Sequence, residues 1–448
     1  MKFRIEETDE IIATQGGNLL LGGLISRTNL STGMDLFLPD LELTEDHIQT
    51  GELIISYIGT LSQAQTEFEA VEQFREDPYF QKTLGIKKVP SSSTLRQRIN
   101  ALGEESKEEV IRLITEESCK LLRTVGVEIS PCFNEHVPLD VDVSPFDNSK
   151  TKKEGVGWTY KKFMGYAPIF AYLGEEGYCI GAELREGVQH CQKDTPEFLE
   201  GTLKNARLVT DAAILVRMDS GNDAAENMKL MQNHQNVDFI IKRNPRQESI
   251  EEHFNKAVME GEEIVDTREG KETFVYEYEK KPQGCKESVR VVSFVTKRTI
   301  TAKGQILLIP DYELESYYTS LPPDEASSTQ IQKLYNNHGT SEQFHSELKT
   351  DLNLERLPSG KFATNAIVLN LGTFAYNLLR IIGQESLREN DYPPTRHKVK
   401  RRRVRTVIDR YILLGVKLVR HARATWVKLS KYNPWLPSFK RIYEAFST

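Results

Sequence analysis

Cysteine is scarce in this chain, and its placement excludes one common kind of site. Five cysteines are spread over 448 residues, at positions 119, 132, 179, 191 and 285, together with nine histidines. No two cysteines have the short spacing of a zinc ligand pair, and the His-Glu-x-x-His arrangement does not occur. The distribution argues against structural zinc and predicts a reducing compartment.

A long uninterrupted apolar run is also missing. The chain begins Met-Lys-Phe-Arg-Ile-Glu-Glu, which is unlike a secretory signal. The most apolar stretch, residues 365–383, is interrupted by Asn365, Asn370, Asn377 and Arg380, so we expect a buried core helix and not a membrane span. A chain of this length has room for about three domains and a substantial core.

Positive charge is in short supply except at one end. The formal net charge is −7, which by itself argues against a nucleic-acid partner. Residues 396–448, however, contain fifteen Lys and Arg residues and two acidic residues. The other 395 residues contain 43 Lys and Arg residues and 63 acidic residues. This asymmetry predicts a DNA-binding end, with Lys400, Arg401, Arg402 and Arg403 as its densest part, although a plain solvated segment is the alternative.

Residues 1–135 read as a helical N-terminal domain. Within it, Pro90 and three serines precede a helix whose first turns carry Arg96 and Arg98. A capped helix with two early arginines is typical of a DNA recognition helix, and both are candidate DNA contacts. An ordinary scaffold helix has the same pattern.

The order of elements after residue 135 predicts the fold class. Three strand patterns are followed by helix, strand, helix and strand within 136–244, which is the order of an α/β ribonuclease-H-like core. Residues 245–315 are rich in strand patterns and predict a β-rich insertion. Residues 316–390 then return to helical patterns as the second part of the core, and 391–448 form the basic C-terminal segment.

Acidic residues end two of these strands. Val137–Val143 alternates, so Asp140 and Asp142 share one face, and Asp219 follows the buried strand pattern that ends at Met218. Farther on, a helix-like stretch carries one more carboxylate, Glu342. Three acidic groups from separate elements are what a two-metal phosphoryl-transfer site requires.

The helix-like stretch has its own pattern. Tyr335, His338, Glu342 and Lys349 are separated by three, four and seven residues, so on a regular helix they fall within an arc of about 60°. A capping box at Thr340 would instead leave Tyr335 and His338 in the preceding turn.

These residues carry a family resemblance. From about 137 to 380 the chain resembles the Asp-Asp-Glu (DDE-type) transposases of bacterial insertion sequences, in the branch with a β-rich insertion before the Glu and a Tyr, Arg, Glu, Lys helix. The resemblance implies that Asp142, Asp219 and Glu342 hold two Mg²⁺ ions, for which Mn²⁺ can substitute. It also implies that Tyr335 and Lys349 contact DNA next to the cut, as would His338, which stands where the family has Arg.

The same resemblance implies the partners and location. Terminal inverted repeats and target DNA would be bound by a homodimer in the bacterial cytoplasm, at the nucleoid. A second basic cluster, with Lys161 and Lys162 beside Trp158 and Tyr160, is a further candidate for DNA contact. Two alternatives remain, namely a nuclease of the same fold that cuts without joining, and a catalytically silent DNA-binding regulator.

Overall fold

The computed structural model describes residues 3–37, 48–265, 268–301, 303–395, 397, 399–421 and 424–447. Arg396, Lys398 and Arg423 of the predicted basic segment lie outside these ranges.

The N-terminal part is mainly helical. Strand β1 is Ile11–Ala13. Helices α1 to α6 are Asn18–Ile25, Leu30–Met34, Thr50–Leu61, Pro78–Leu84, Ser92–Glu105 and Lys107–Val125, with a 3-10 helix at Phe68–Phe74. Helix α5 begins as the serine-rich sequence predicts, because the Ser91 hydroxyl accepts a hydrogen bond from the Thr94 backbone N–H at 3.2 Å.

The central part is a five-stranded sheet with helices between its later strands. Strands β2 to β9 are Val137–Val143, Phe146–Asp147, Gly157–Trp158, Met164–Tyr166, Ile169–Leu173, Tyr178–Glu183, Ile214–Met218 and Val237–Lys242. Of these, β3, β4 and β5 form a separate small sheet. Helices α7 and α8 are Thr195–Val209 and Ala225–Met231. The order across the sheet is β7-β6-β2-β8-β9. Strand β6 is antiparallel to β2 and β7, whereas β8 is parallel to β2 and β9. This is the ribonuclease-H-like topology, and the predicted fold class is confirmed.

The β-rich stretch after residue 245 extends this sheet. It contains helix α9, Ile250–Glu260, which was not predicted, and strands β10 to β13, which are Glu262–Ile264, Lys271–Lys280, Val289–Ile300 and Ile306–Thr319. Strand β13 pairs with β9 through Tyr317, Tyr318 and Thr319, so one nine-stranded sheet runs from β10 to β7. The open edge that β9 would otherwise present is thereby covered.

The remaining elements follow in chain order. Helices α10 to α14 are Ser328–Asn336, Ser341–Ser346, Phe362–Glu385, Val404–Val407 and Leu436–Ser447, and strands β14 and β15 are Val416–His421 and Ala424–Leu429. A 3-10 turn, Asn337–Thr340, joins α10 to α11, and π-helical turns follow α11 at Glu347–Asp351 and α13 at Ile408–Ile412.

Helix α12 lies at the centre of the molecule and is buried along nearly its whole length. Among the described residues it is the one helix with the length and apolarity of a membrane span, but its apolar window is entirely inside the protein, so the predicted core helix is confirmed. The N-terminal helices α3, α5 and α6 and strand β7 pack against it. One hydrophobic core therefore joins the N-terminal helices, the nine-stranded sheet and α14.

The basic end of the chain is folded. Strand β14 pairs with β15 and with β1, so residues from both ends form a three-stranded sheet.

Candidate functional site

Two of the predicted carboxylates meet at the ends of parallel strands. Asp140 pairs in register with Arg217 and Val141 with Met218, so Asp142 and Asp219 occupy the next positions of β2 and β8. Both are partly buried. Burial raises the pKa of Asp219, and the neighbouring Asp142 carboxylate raises it further. Two negative groups thus share a confined space at the carboxyl edge of the sheet, where open α/β sheets bind their ligands.

The Asp142 carboxylate has two partners. Its Oδ1 accepts from the Val143 backbone N–H at 2.7 Å, and its Oδ2 is 3.2 Å from Nε2 of His345. Burial alone would raise the pKa of Asp142, but the hydrogen bond with His345 and the nearby His338 ring outweigh it and lower the pKa. Nδ1 of His345 lies 3.1 Å from the Tyr172 hydroxyl, which fixes the imidazole plane.

His345 was not predicted, although the sequence contains a signal for it. It lies three residues after Glu342 and four before Lys349, and these intervals place all three on one helix face.

Asp219 is held by the turn that follows its strand. Its Oδ1 accepts from the Gly221 backbone N–H at 3.1 Å and from Nδ2 of Asn222 at 2.8 Å. Within the described part of the chain, its Oδ2 accepts no hydrogen bond. One oxygen of this carboxylate is thus available for another ligand.

Asp140 has a different environment on the same strand. Nε and Nη2 of Arg217 donate to its two oxygens at 2.7 and 2.8 Å, and Nδ1 of His338 is 2.8 Å from Oδ1. All three side chains are buried. Burial opposes the charged imidazole, but Asp140 outweighs it and raises the pKa of His338.

His338 therefore does not reach the surface as a DNA contact. The structure corrects this prediction, because the imidazole is paired with a buried carboxylate. The capping box proposed at Thr340 is also absent. Thr340 makes no side-chain cap, and the capping box lies at Ser327 and Gln330, where α10 begins.

Glu342 lies in α11, with its side chain exposed to solvent. Among the residues described by the structure, no three His, Cys, Asp or Glu side chains are grouped closely enough to hold a metal ion. The structure thus brings Asp142 and Asp219 together and does not bring Glu342 into a group with them.

Tyr335 and Lys349 flank the carboxylate pair. The Tyr335 ring is half-buried 4.9 Å from the Tyr317 ring, and burial, with Asp219 and Asp142 nearby, raises its pKa. Nζ of Lys349 lies 5.6 Å from the centre of the Phe146 ring. Burial lowers the pKa of Lys349, while nearby carboxylates, Asp142 among them, oppose this effect.

An aromatic and basic loop lies next to Asp142. The Tyr160 hydroxyl donates to the Val143 carbonyl at 3.0 Å, which fixes the loop beside the carboxylates. Nζ of Lys161 is 5.4 Å from the centre of the Tyr160 ring. Lys161, Lys162 and Trp158 are all exposed. The structure thus brings these predicted contacts to the site.

The two arginines of α5 have separate environments. Arg98 is buried and donates to the Ile48 carbonyl at 3.2 Å, so it presents no surface to DNA and this prediction is corrected. Arg96 is half-exposed and is paired with Glu69.

Two arginines of the predicted basic segment are engaged inside the molecule. Arg402 is buried between the rings of Tyr392 at 4.6 Å and Trp435 at 5.0 Å, and Arg401 is largely buried against Glu347. The prediction that these two arginines contact DNA is corrected, because both guanidinium groups are enclosed by the fold. Lys400 and Arg403 remain exposed.

The topology and the carboxylate pair define a ribonuclease-H-like protein. A comparison with known protein families gives the family. Residues 2–448 match the family described as "Transposase DDE domain group 1", and the chain belongs to this family. No curated protein matches the chain.

Among solved structures, the chain is similar to one titled "Cryo-EM structure of piggyBac transposase synaptic complex with hairpin DNA (SNHP)". The TM-score is 0.40 at 10% sequence identity, over 81% of this chain and 74% of that chain. At this distance the similarity adds nothing to the family assignment.

Proposed function

We propose that this family member is an active transposase that cuts DNA at the ends of an element and joins those ends to target DNA. In this proposal Asp142, Asp219 and Glu342 hold two divalent metal ions, with Mg²⁺ preferred and Mn²⁺ as a substitute. The observation that carries it is the meeting of Asp142 and Asp219 at the ends of β2 and β8.

The donor set fits a hard divalent cation. Carboxylate oxygens are the ligands that Mg²⁺ and Mn²⁺ prefer. Burial and the neighbouring Asp142 carboxylate both raise the pKa of Asp219, and a bound cation would favour its charged form. Glu342 lies about one turn before His345, whose ring contacts Asp142, so the helix presents Glu342 on the side of the site.

Each side chain has a task in this mechanism. The metal ions would supply stabilisation of the attacking and leaving oxygens of an in-line displacement at phosphorus. His345 orients Asp142, and Lys349 neutralises phosphate oxygens beside the cut as a point charge. No Ser or Cys nucleophile is required, because positioning and charge neutralisation carry phosphoryl transfer.

The reaction would proceed in two displacements. Water attacks phosphorus at the element's end, and a 3′-hydroxyl leaves. That hydroxyl then attacks a phosphorus of target DNA and displaces a second 3′-hydroxyl, so the element becomes joined to the target.

DNA binding would use the surface around this edge of the sheet. Lys161 and Lys162 contact phosphates next to the carboxylates, together with Tyr335 and Lys349. Lys400 and Arg96 are exposed cations farther away that extend the surface, whereas the exposed Arg403 is paired with Asp351. The DNA would be the element's terminal inverted repeats and the target duplex, bound by a homodimer.

The experiment is metal-dependent cleavage of a DNA duplex that carries the element's end. Asp142→Ala, Asp219→Ala and Glu342→Ala should each abolish cleavage while DNA binding persists, because the three residues are assigned to metal and not to DNA. Asp311→Ala, at an exposed position of β13, is the matched control. Cleavage at the normal rate by any of the three would remove that residue from the site.

A second assay separates the alternatives. A pre-cut end with a free 3′-hydroxyl is incubated with a target plasmid, and joined products are counted. Joining supports a transposase, cleavage without joining indicates a nuclease, and binding without either indicates a silent regulator.

A further inference from the structure

The helical segment 341–351 has two working faces. His345 contacts Asp142, and Glu342 and Lys349 share its helix face by their spacing. Gln343, Glu347 and Asp351, at intervals of four residues, lie on nearly the opposite face. Glu347 and Asp351 are buried. A buried carboxylate requires a partner that compensates its charge.

Their partners come from the basic segment 400–405. Nη1 of Arg401 donates to Glu347 at 2.9 Å and Nη2 to Gln343 at 2.8 Å. Nε and Nη2 of Arg403 donate to the two oxygens of Asp351 at 2.7 and 2.9 Å. The backbone N–H of Arg405 adds a third hydrogen bond to Asp351, at 3.1 Å.

The contacts are geometrically specific. Arg403 engages Asp351 through two parallel hydrogen bonds, which fix the direction of approach as well as the distance. The Arg401 guanidinium also stacks over the Phe344 ring at 4.5 Å. Behind it, the fully buried Arg380 pairs with the same Glu347 carboxylate.

We propose that Arg401 and Arg403 form an ionic clamp that holds segment 341–351 against the catalytic sheet and so positions Glu342 and Lys349. The clamp is a positioning device, since neither arginine touches the carboxylate pair. The assignment of Glu342 and Lys349 as working residues rests on the proposed function. The clamp itself rests only on the contacts between the two segments.

The clamp is tested in the full-length protein with the double variant Arg401→Gln/Arg403→Gln. The matched control is Arg410→Gln/Lys431→Gln, which removes two exposed cations outside segment 400–405. Amide hydrogen exchange of residues 341–351 is measured first. We expect exchange to rise at least tenfold in the clamp variant and to stay at the wild-type rate in the control and in α6.

Single-turnover cleavage is measured next, at saturating DNA. We expect the cleavage rate to fall at least tenfold while DNA affinity and its salt dependence stay unchanged. Arg401→Lys/Arg403→Lys, which keeps both charges but loses the paired geometry, should recover part of the rate. Unchanged exchange in 341–351 would overturn the clamp. A lower salt slope with unchanged exchange would instead make both arginines DNA contacts.

The two readouts keep the clamp separate from the proposed function. If the clamp exists but Glu342 has no part in cleavage, hydrogen exchange of residues 341–351 still rises in the clamp variant. The cleavage rate of that variant then stays at the wild-type value. That result keeps the clamp and removes its catalytic role. Arg403→Gln alone, at a half-exposed guanidinium, provides the same exchange measurement if the double variant does not fold.

Discussion

Asp140 and Asp142 lie on one face of one strand, and replacing Asp140 tests whether they have different tasks. The Asp140 side chain is 2% exposed and that of Arg217 is 3% exposed, with two hydrogen bonds between them. In Asp140→Asn the guanidinium stays buried, with the Leu334 carbonyl at 2.9 Å as its remaining anchor. Removing one partner of a buried ion pair costs about 3–5 kcal/mol, so we expect a loss of that size in the free energy of unfolding.

The assay is urea unfolding at pH 7, followed by tryptophan fluorescence and by far-UV circular dichroism. The free energies are compared where the two transitions coincide. Asp311→Asn is the control, because an exposed carboxylate should change stability by no more than about 0.5 kcal/mol. A loss below about 1 kcal/mol in Asp140→Asn would refute the conclusion that the pair is desolvated.

The pH dependence of the difference in unfolding free energy between wild type and Asp140→Asn gives a second check. Burial would raise the pKa of Asp140, but Arg217 and His338 outweigh it and lower the pKa below its usual value of 3.8. A carboxyl with a lowered folded-state pKa stabilises the protein above its unfolded pKa and loses that contribution as the pH falls through the folded pKa. The difference in the free energy of unfolding between wild type and Asp140→Asn should therefore become smaller as the pH falls below about 4.

Three further outcomes are expected. Asp219→Asn should raise the urea midpoint in EDTA, because burial and a neighbouring carboxylate raise the pKa of Asp219, and should abolish additional stabilisation by Mg²⁺; an unchanged Mg²⁺ effect would count against a metal site there. The hydrogen bond with Asp238 raises the pKa of His136, so wild type should lose stability relative to His136→Asn as the pH rises above 6.5, and a constant difference would contradict this. Lys161→Ala/Lys162→Ala should reduce the log–log salt slope of DNA binding by about 0.9 per lost phosphate contact, and an unchanged slope would remove this loop from the interface.

Much of the fold could be predicted from the sequence, because the spacing of hydrophobic residues and the order of helices and strands can be recognised in short stretches of sequence. The alternation of Val137–Val143 placed Asp140 and Asp142 on one face, and the buried strand ending at Met218 brought Asp219 to the same edge. Strand pairing is less local. The strands after residue 245 were predicted, but their continuation of the central sheet depends on the pairing of β13 with β9, which no local pattern encodes.

Side-chain partners across long separations were beyond reach. His338 was expected at the DNA because of its spacing from Glu342, but its partner, Asp140, lies 198 residues earlier. The four consecutive cations at positions 400–403 were likewise expected at the DNA from local sequence alone, with a solvated segment as the alternative. Arg401 and Arg403 instead pair with Glu347 and Asp351, acids that lie more than 50 residues away.

The three-stranded sheet of β1, β14 and β15 has a consequence for synthesis of the chain. Ile11 pairs with Leu418, so this contact joins residues more than 400 positions apart. Such a pairing carries a large loop-closure cost and forms late. As the ribosome proceeds, the N-terminal helices emerge long before their last partners, and helix α14, which packs on α1, comes later still. A chain that stopped before β14 would contain every residue of the carboxylate site. It would lack the strand that pairs with β1 and the helix that packs on α1. We expect such shortened chains to be more open to proteolysis than the full chain, because β1 and α1 lack these partners.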